Sequence, residues 1–312
     1  MHYVCHRLNL VLNDAAECCS EMTTFFATVE KVYKFFGYSA PNRALFKAFG
    51  NDTHVSSATL KHLSTTRWES RHKSISASIT QYPAIIRTLH HLNLTSAHCN
   101  IRNTARVITQ QVTTMEFLTL LFVWKKILRA VYAISKQLQS KSINLAVSVG
   151  LLRETVGFVS GIRNDFDTFC EAAETLARKW GIQTQFKETR KRTKKCFFGE
   201  LADDDRLETP FEEFRVNVFM PDVDTCLGQL NSRFESLQNV VGVFSFLFPD
   251  VLLKLPDAEL EIQVTKFVKI YDNDISADFM RQILAFKACA SAFILKANNL
   301  NEILNILMKL DL

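Results

Sequence analysis

The sequence predicts a mainly α-helical chain, and three observations carry that expectation. Apolar residues recur every three or four positions over most of the 312 residues, the period of a helix with one buried face. Only 9 Gly and 6 Pro are present, too few to turn a many-stranded sandwich. A hydrophobic share of 47% with 25 Phe must be buried somewhere, which excludes disorder across the whole chain. The length suits one large domain or two ordinary ones.

The elements follow in order. Residues 5–36 predict one long amphipathic helix, because Leu8, Val11, Leu12, Ala15, Cys19, Met22, Phe26, Val29, Val32 and Phe36 share a stripe. Gly37 and Pro41 end it. Residues 42–66 are more broken, with Gly50, Asn51 and Asp52 marking a turn. A helix starts near Glu69 and runs toward Tyr82, where Pro83 interrupts or restarts it. The clearest helix spans Glu116 to about Ser140, with Phe117, Leu121, Trp124, Leu128, Val131, Ile134 and Leu138 on its apolar face. Ile143 to Arg178 reads as one helix, or as two broken near Gly157–Gly161, where the glycine spacing fits a close helix contact. Phe214–Met220 reads as a short strand or a helix start. Helices then resume over Asp222–Leu237, Asp257–Ile270, Asp278–Asn298 and Asn301–Leu310. The first and last helical patterns run to within a few residues of Met1 and Leu312, so both ends read as cut.

Charge is distributed unevenly. The net charge of +5 divides into +13 over residues 1–200 and −8 over residues 201–312. That split suits a polyanion partner for the basic part, or an acidic face packed on a basic one. Residues 187–210 read as a charged linker, in which Lys187, Arg190, Lys191, Arg192, Lys194 and Lys195 precede Glu200, Asp203, Asp204, Asp205 and Glu208. The basic run fits a nuclear localisation signal or a phosphate-contacting arm, against a plain solvated loop. No charge-free stretch approaches the ~18–20 residues of a membrane helix, and the apolar run Leu8–Leu12 is too short for a signal peptide.

Residues that carry chemistry are few. The eight Cys show no CxxC and no finger spacing with His, so they read as reduced thiols. GxxxxGK[ST], GxGxxG, GxSxG and HExxH do not occur. Asp203–Asp205 read as a solvated acidic patch, and Asp165 and Asp167 as surface charges. His90–His91 with His98 and Cys99 match no common metal spacing. The residues by themselves give no catalytic constellation, no metal site and no cofactor.

Two segments go further. CHRLNLVLNDAAE at 5–17 and TTRWESR at 65–71 resemble the hAT superfamily of DNA transposases, in particular its domesticated, transposon-derived branch around the zinc finger MYM-type proteins. FLTLLFVWKKILRAVYAISKQLQSKSINL at 117–145, RNDFDTFCEAAETLARKWGI at 163–182, RKRTKK and LNSRFESL at 230–237 extend the resemblance over most of the chain. It implies a helical domain inserted into an RNase H-like nuclease core that uses an Asp-Asp-Glu triad and two divalent metals. By resemblance, His6 and Arg7 support the core, Arg67 contacts the DNA backbone and Trp68 stacks on a base. The alternative is a core Trp68 with an ion-paired Arg67.

The departures shape the expected function. The family's first two acids precede the HRLNL motif, its third lies in a C-terminal ERxFS-type motif, and none of the three is found here. Tyr3 stands where the family has Cys. The expected fold is therefore mainly α: a helical insertion domain with remnants of an RNase H-like α/β core. Residues 1–82 would be a partial core segment, 83–186 the first part of the insertion, 187–210 the linker and 211–312 a helical region leading back. The expected function is that of a catalytically dead, transposon-derived nuclear protein binding DNA or chromatin partners. Two alternatives stand beside it: an internal fragment of an active transposase, and a protein–protein scaffold. No cofactor is expected, Mg or Mn belonging only to an intact family member. DNA and nuclear proteins are the expected partners and a membrane is not, with self-association left open.

Overall fold

A computed structural model describes residues 2–52, 60, 68–139, 145–188, 209–276, 278–297 and 300–309. Among them the chain is helical, with turns and no strand, so the mainly α expectation is met. Two compact units divide it: residues 1–137 with 155–230, and residues 138–154 with 231–312.

The first unit opens with α1 (His2–Ala16) and α2 (Ser20–Gly37), which replace the single helix expected over 5–36. The N–H groups of Glu17 and Cys18 tighten onto the carbonyls of Asp14 and Ala15, and Cys19 turns extended at φ −149°. These three-residue bonds end α1 and let α2 start afresh. The turn expected at Gly50–Asp52 is also absent, since α3 (Ala40–Asp52) runs through it. Next come α4 (Trp68–Thr80) and α5 (Tyr82–Thr95), separated where Pro83 occupies the first turn of α5 and has no N–H to miss. Helix α6 (Cys99–Val112) packs along α5, its Ala105, Ile108 and Val112 buried, while the Tyr82 hydroxyl donates to the Val112 carbonyl at 2.9 Å.

Helix α7 (Met115–Leu138) supplies the centre of this core. Its Trp124 is fully buried, lies edge-on to Phe26 at 4.7 Å and donates from Nε1 to the Met22 sulfur at 3.3 Å. Helices α8 (Leu145–Ile162) and α9 (Phe166–Lys179) part at residues 163–165 rather than at the glycines. Gly157 and Gly161 sit inside α8 with nothing within 4 Å of an added Cβ, so they mark no close helix contact. Asp165 stands at the cap position before α9, and its partly exposed carboxylate is paired with Lys126 at 2.6 Å. Gly181 at φ 63° closes α9, the region where only glycine is unstrained.

Helix α10 (Pro210–Phe214) is capped by the Thr209 hydroxyl, which accepts the Glu212 N–H at 3.2 Å. One wide π turn over Arg215–Phe219 joins it to α11 (Met220–Phe244), so the segment expected as a strand or helix start is helical throughout. The ring of Phe166 meets Phe211 at 5.0 Å and Phe219 at 4.8 Å across this turn.

The second unit holds α12 (Pro249–Lys254), α13 (Asp257–Ile270), α14 (Phe279–Cys289), α15 (Ser291–Ile294) and α16 (Leu300–Lys309). Phe246, Leu252, Val264, Phe267, Ile283, Phe286, Ile294 and Ile303 form its core. Lys287 ties α14 to the start of α13, donating to the Leu255 carbonyl at 2.5 Å and to Asp257 at 2.6 Å. No helix among the described residues is long and apolar enough to cross a membrane.

Candidate nucleic-acid interface

Within the TTRWESR segment, Trp68 to Arg71 form the start of α4. Arg71 is turned inward, its guanidinium 5.0 Å from the centre of the Phe26 ring on α2. Burial lowers its pKa to about 10, while the charges of Glu17 and Glu30 act the other way. Glu17 closes the HRLNL-containing segment and Arg71 closes TTRWESR, so the structure brings the ends of the two segments into electrostatic contact.

The next residue faces another way. His72 stacks on Tyr132 of α7 with ring centres 5.2 Å apart and planes within 4°. Both rings are half-buried. Burial pushes the His72 pKa below its ordinary value, and the charges of Arg129, Lys73 and Lys125 push it further. Lys73 is paired with Glu69 one turn earlier at 2.5 Å, and the Glu69 charge acts on His72 in the opposite sense. Lys125, Arg129, Tyr132 and Lys136 recur at helical spacing along one face of α7, and the three cations are exposed. At a 1.5 Å rise per residue that row is roughly 16 Å long, comparable to four or five phosphates at about 3.4 Å each. Cations spaced along a strand with a planar ring pair between them can neutralise phosphates and offer a stacking platform.

The residues singled out from the sequence fall differently. His6 is exposed and Arg7 half-buried on α1. Trp68 begins α4; its side chain, like all of Arg67, lies outside the described residues. Lys187 is exposed and its backbone N–H donates to Glu116 Oε1 at 2.5 Å. Arg190, Lys191, Arg192, Lys194 and Lys195 lie outside the described residues, as do Asp203–Asp205. His90, His98 and Cys99 are exposed and His91 packs 5.6 Å from Phe49; no three His, Cys, Asp or Glu among the described residues are grouped to hold a metal.

A second group was not signalled by any motif. Asp222 of α11 is fully buried and neither carboxylate oxygen has a hydrogen-bond partner. Burial, with the charge of Cys19 behind it, raises its pKa well above the carboxylate range. Cys226, one turn on, is raised in the same way by burial and by Asp222. The Cys18 thiol, acting as a donor to its neighbour, lowers Cys19 to about 7 and is itself pushed up. Buried acids on an apolar helix face carry no sequence mark beyond their position on the stripe.

No protein-family model matches the chain, and no solved structure matches it.

Proposed function

We propose that this chain is a non-catalytic, nuclear, nucleic-acid-binding protein derived from hAT-type transposases, and that it holds DNA on the face built by α4 and α7. The observation that carries the reading is that Lys125, Arg129 and Lys136 share a face of α7 with Tyr132, whose ring stacks on His72 of α4, the helix that begins at Trp68. The +13 charge of residues 1–200 supports it, since a field of that sign gathers polyanions. On this reading residues 1–82 are what remains of an RNase H-like core, and the basic run from Lys187 to Lys195 serves nuclear import or adds phosphate contacts.

Gel-shift titrations of the full chain test it, using duplex and single-stranded DNA from about 50 to 200 mM salt. The expected result is binding whose logarithm falls linearly with log salt. Replacing Lys125 and Arg129 together by Ala should flatten that slope by about 1.4–1.8, the loss of two phosphate contacts. An absence of salt-sensitive binding at the low end, or a double variant indistinguishable from the parent, overturns the proposal.

A further inference from the structure

Helix α1 gives way to α2 at two neighbouring cysteines, Cys18 and Cys19, with neither Gly nor Pro between Ala16 and Met22 to account for the break. Along a continuous helix successive side chains point about 100° apart, so adjacent thiols diverge. Here Cys18 lies in the bend, the backbone at Cys19 is extended at φ −149° and ψ 168°, and the Cys18 thiol faces Cys19 as a donor. Both side chains are half-buried, open on one side to a small solute. Cys226 of α11 acts electrostatically on Cys18 from nearby but is itself buried.

The two thiols are prepared for different steps. Donation from Cys18, then the N–H groups of Met22 and Glu21 in the first turn of α2, hold Cys19 down at about 7 against burial and the Glu21 charge. Cys18 is pushed up, first by that same donation, then by burial and by the charge of Asp222. Cys19 is therefore the thiolate that attacks a small disulfide such as oxidised glutathione, forming a mixed disulfide and releasing one glutathione thiolate. Once Cys19 is capped it carries no charge to receive the Cys18 proton, and the first restraint on Cys18 is gone. Cys18 then attacks the Cys19 sulfur, expels the second glutathione as a thiolate and passes its own proton to it. The two protein thiols are oxidised and one glutathione disulfide is reduced. Adjacent Cα atoms stand about 3.8 Å apart, below the usual span of about 4.4–6.8 Å, so the bond closes a strained ring that small thiols reopen easily.

We propose that the Cys18–Cys19 pair at the α1–α2 break is a reversible thiol–disulfide site, in which Cys19 attacks a low-molecular-weight disulfide and Cys18 resolves the adduct. The test incubates the reduced full chain with oxidised glutathione, blocks the remaining thiols with N-ethylmaleimide and maps tryptic peptides by mass. One peptide, residues 8–31, holds both thiols and no other cysteine. It should become two hydrogens lighter without retaining glutathione, and reduced glutathione should restore it. The exposed Cys99 and Cys289 serve as controls, since reaction at either leaves glutathione attached. Cys18→Ser should arrest the reaction at a glutathione adduct on Cys19, and Cys19→Ser should slow modification of the peptide about tenfold. Circular dichroism checks both variants, and the mass of the parent peptide decides the matter without them if either does not fold. A parent peptide that stays reduced or keeps glutathione, a cross-link to the Cys226 peptide, or an undiminished rate in Cys19→Ser overturns the assignment.

Discussion

His72 and Tyr132 lie face to face, 5.2 Å apart and within 4° of parallel, under the combined field of Arg129, Lys73 and Lys125. The histidine is thereby held neutral to lower pH than usual, by burial first and by like charge second. A phosphate chain laid across Lys125 and Arg129 would cancel the second cause, so His72 should take up a proton on binding. Linkage fixes the sign: affinity rises as pH falls through the window below about 6.5. We expect DNA affinity to rise about two- to tenfold between pH 7.5 and 5.5 beyond any general charge effect. The check is the same titration in His72→Gln; an identical pH dependence in that variant would remove His72 from the interface.

Asp222 sets a second pH dependence, of opposite origin. Its native pKa stands well above the unfolded value of 3.8, so the native state binds more protons between the two. Stability is then highest below that window and declines as pH rises through it. Asp222→Asn removes the ionisation and should flatten the decline, stabilising the chain by about 1–3 kcal/mol at pH 8 and by less at pH 5. Urea unfolding at both values decides it. A gain that does not change with pH would mean that packing, and not ionisation, was altered.

Cys19 predicts a chemical readout at the same place. With its pKa lowered to about 7 while Cys18 beside it is raised, the two neighbouring thiols should differ in reactivity. Brief iodoacetamide treatment of native protein, followed by peptide mass spectrometry, should label Cys19 with a half-maximal rate near pH 7. Cys18 and the buried Cys226 should stay unlabelled under the same exposure. Equal labelling of Cys18 and Cys19 would refute the polarity of the pair.

How much of this was legible in the sequence depends on whether the signal is local. The apolar stripe of α7 and the restart of α5 at Pro83 could be read directly, because periodicity and a missing N–H act within one turn. The break between α1 and α2 could not, since Cys18 and Cys19 are apolar enough to continue the stripe while the backbone leaves the helix at Cys19. Helix α6 carries a thin stripe of Ala105, Ile108 and Val112 set among polar residues, which periodicity alone does not single out. The candidate interface joins His72 to Lys125 and Arg129, some fifty residues apart, and only the packing of α4 near α7 reveals them as one patch. Asp222 is hidden for a further reason: a carboxylate in DVDTC looks like a solvated residue until the fold closes over it.

The centre of the first unit yields the sharpest stability prediction. Trp124 is fully buried and satisfies its indole N–H with a thioether sulfur, a weak acceptor, rather than an oxygen. Most of its contribution should therefore come from packing against Phe26 and Met22, and little from the hydrogen bond. Trp124→Ala should cost about 3–5 kcal/mol, through lost burial and the cavity it leaves. Met22→Leu keeps the volume and removes the acceptor, so it isolates the polar part and should cost less than about 1.5 kcal/mol. Denaturant midpoints with unchanged slopes would measure both. A Met22→Leu loss as large as that of Trp124→Ala would show that the N–H to sulfur contact, not the aromatic packing, holds α7 against α2.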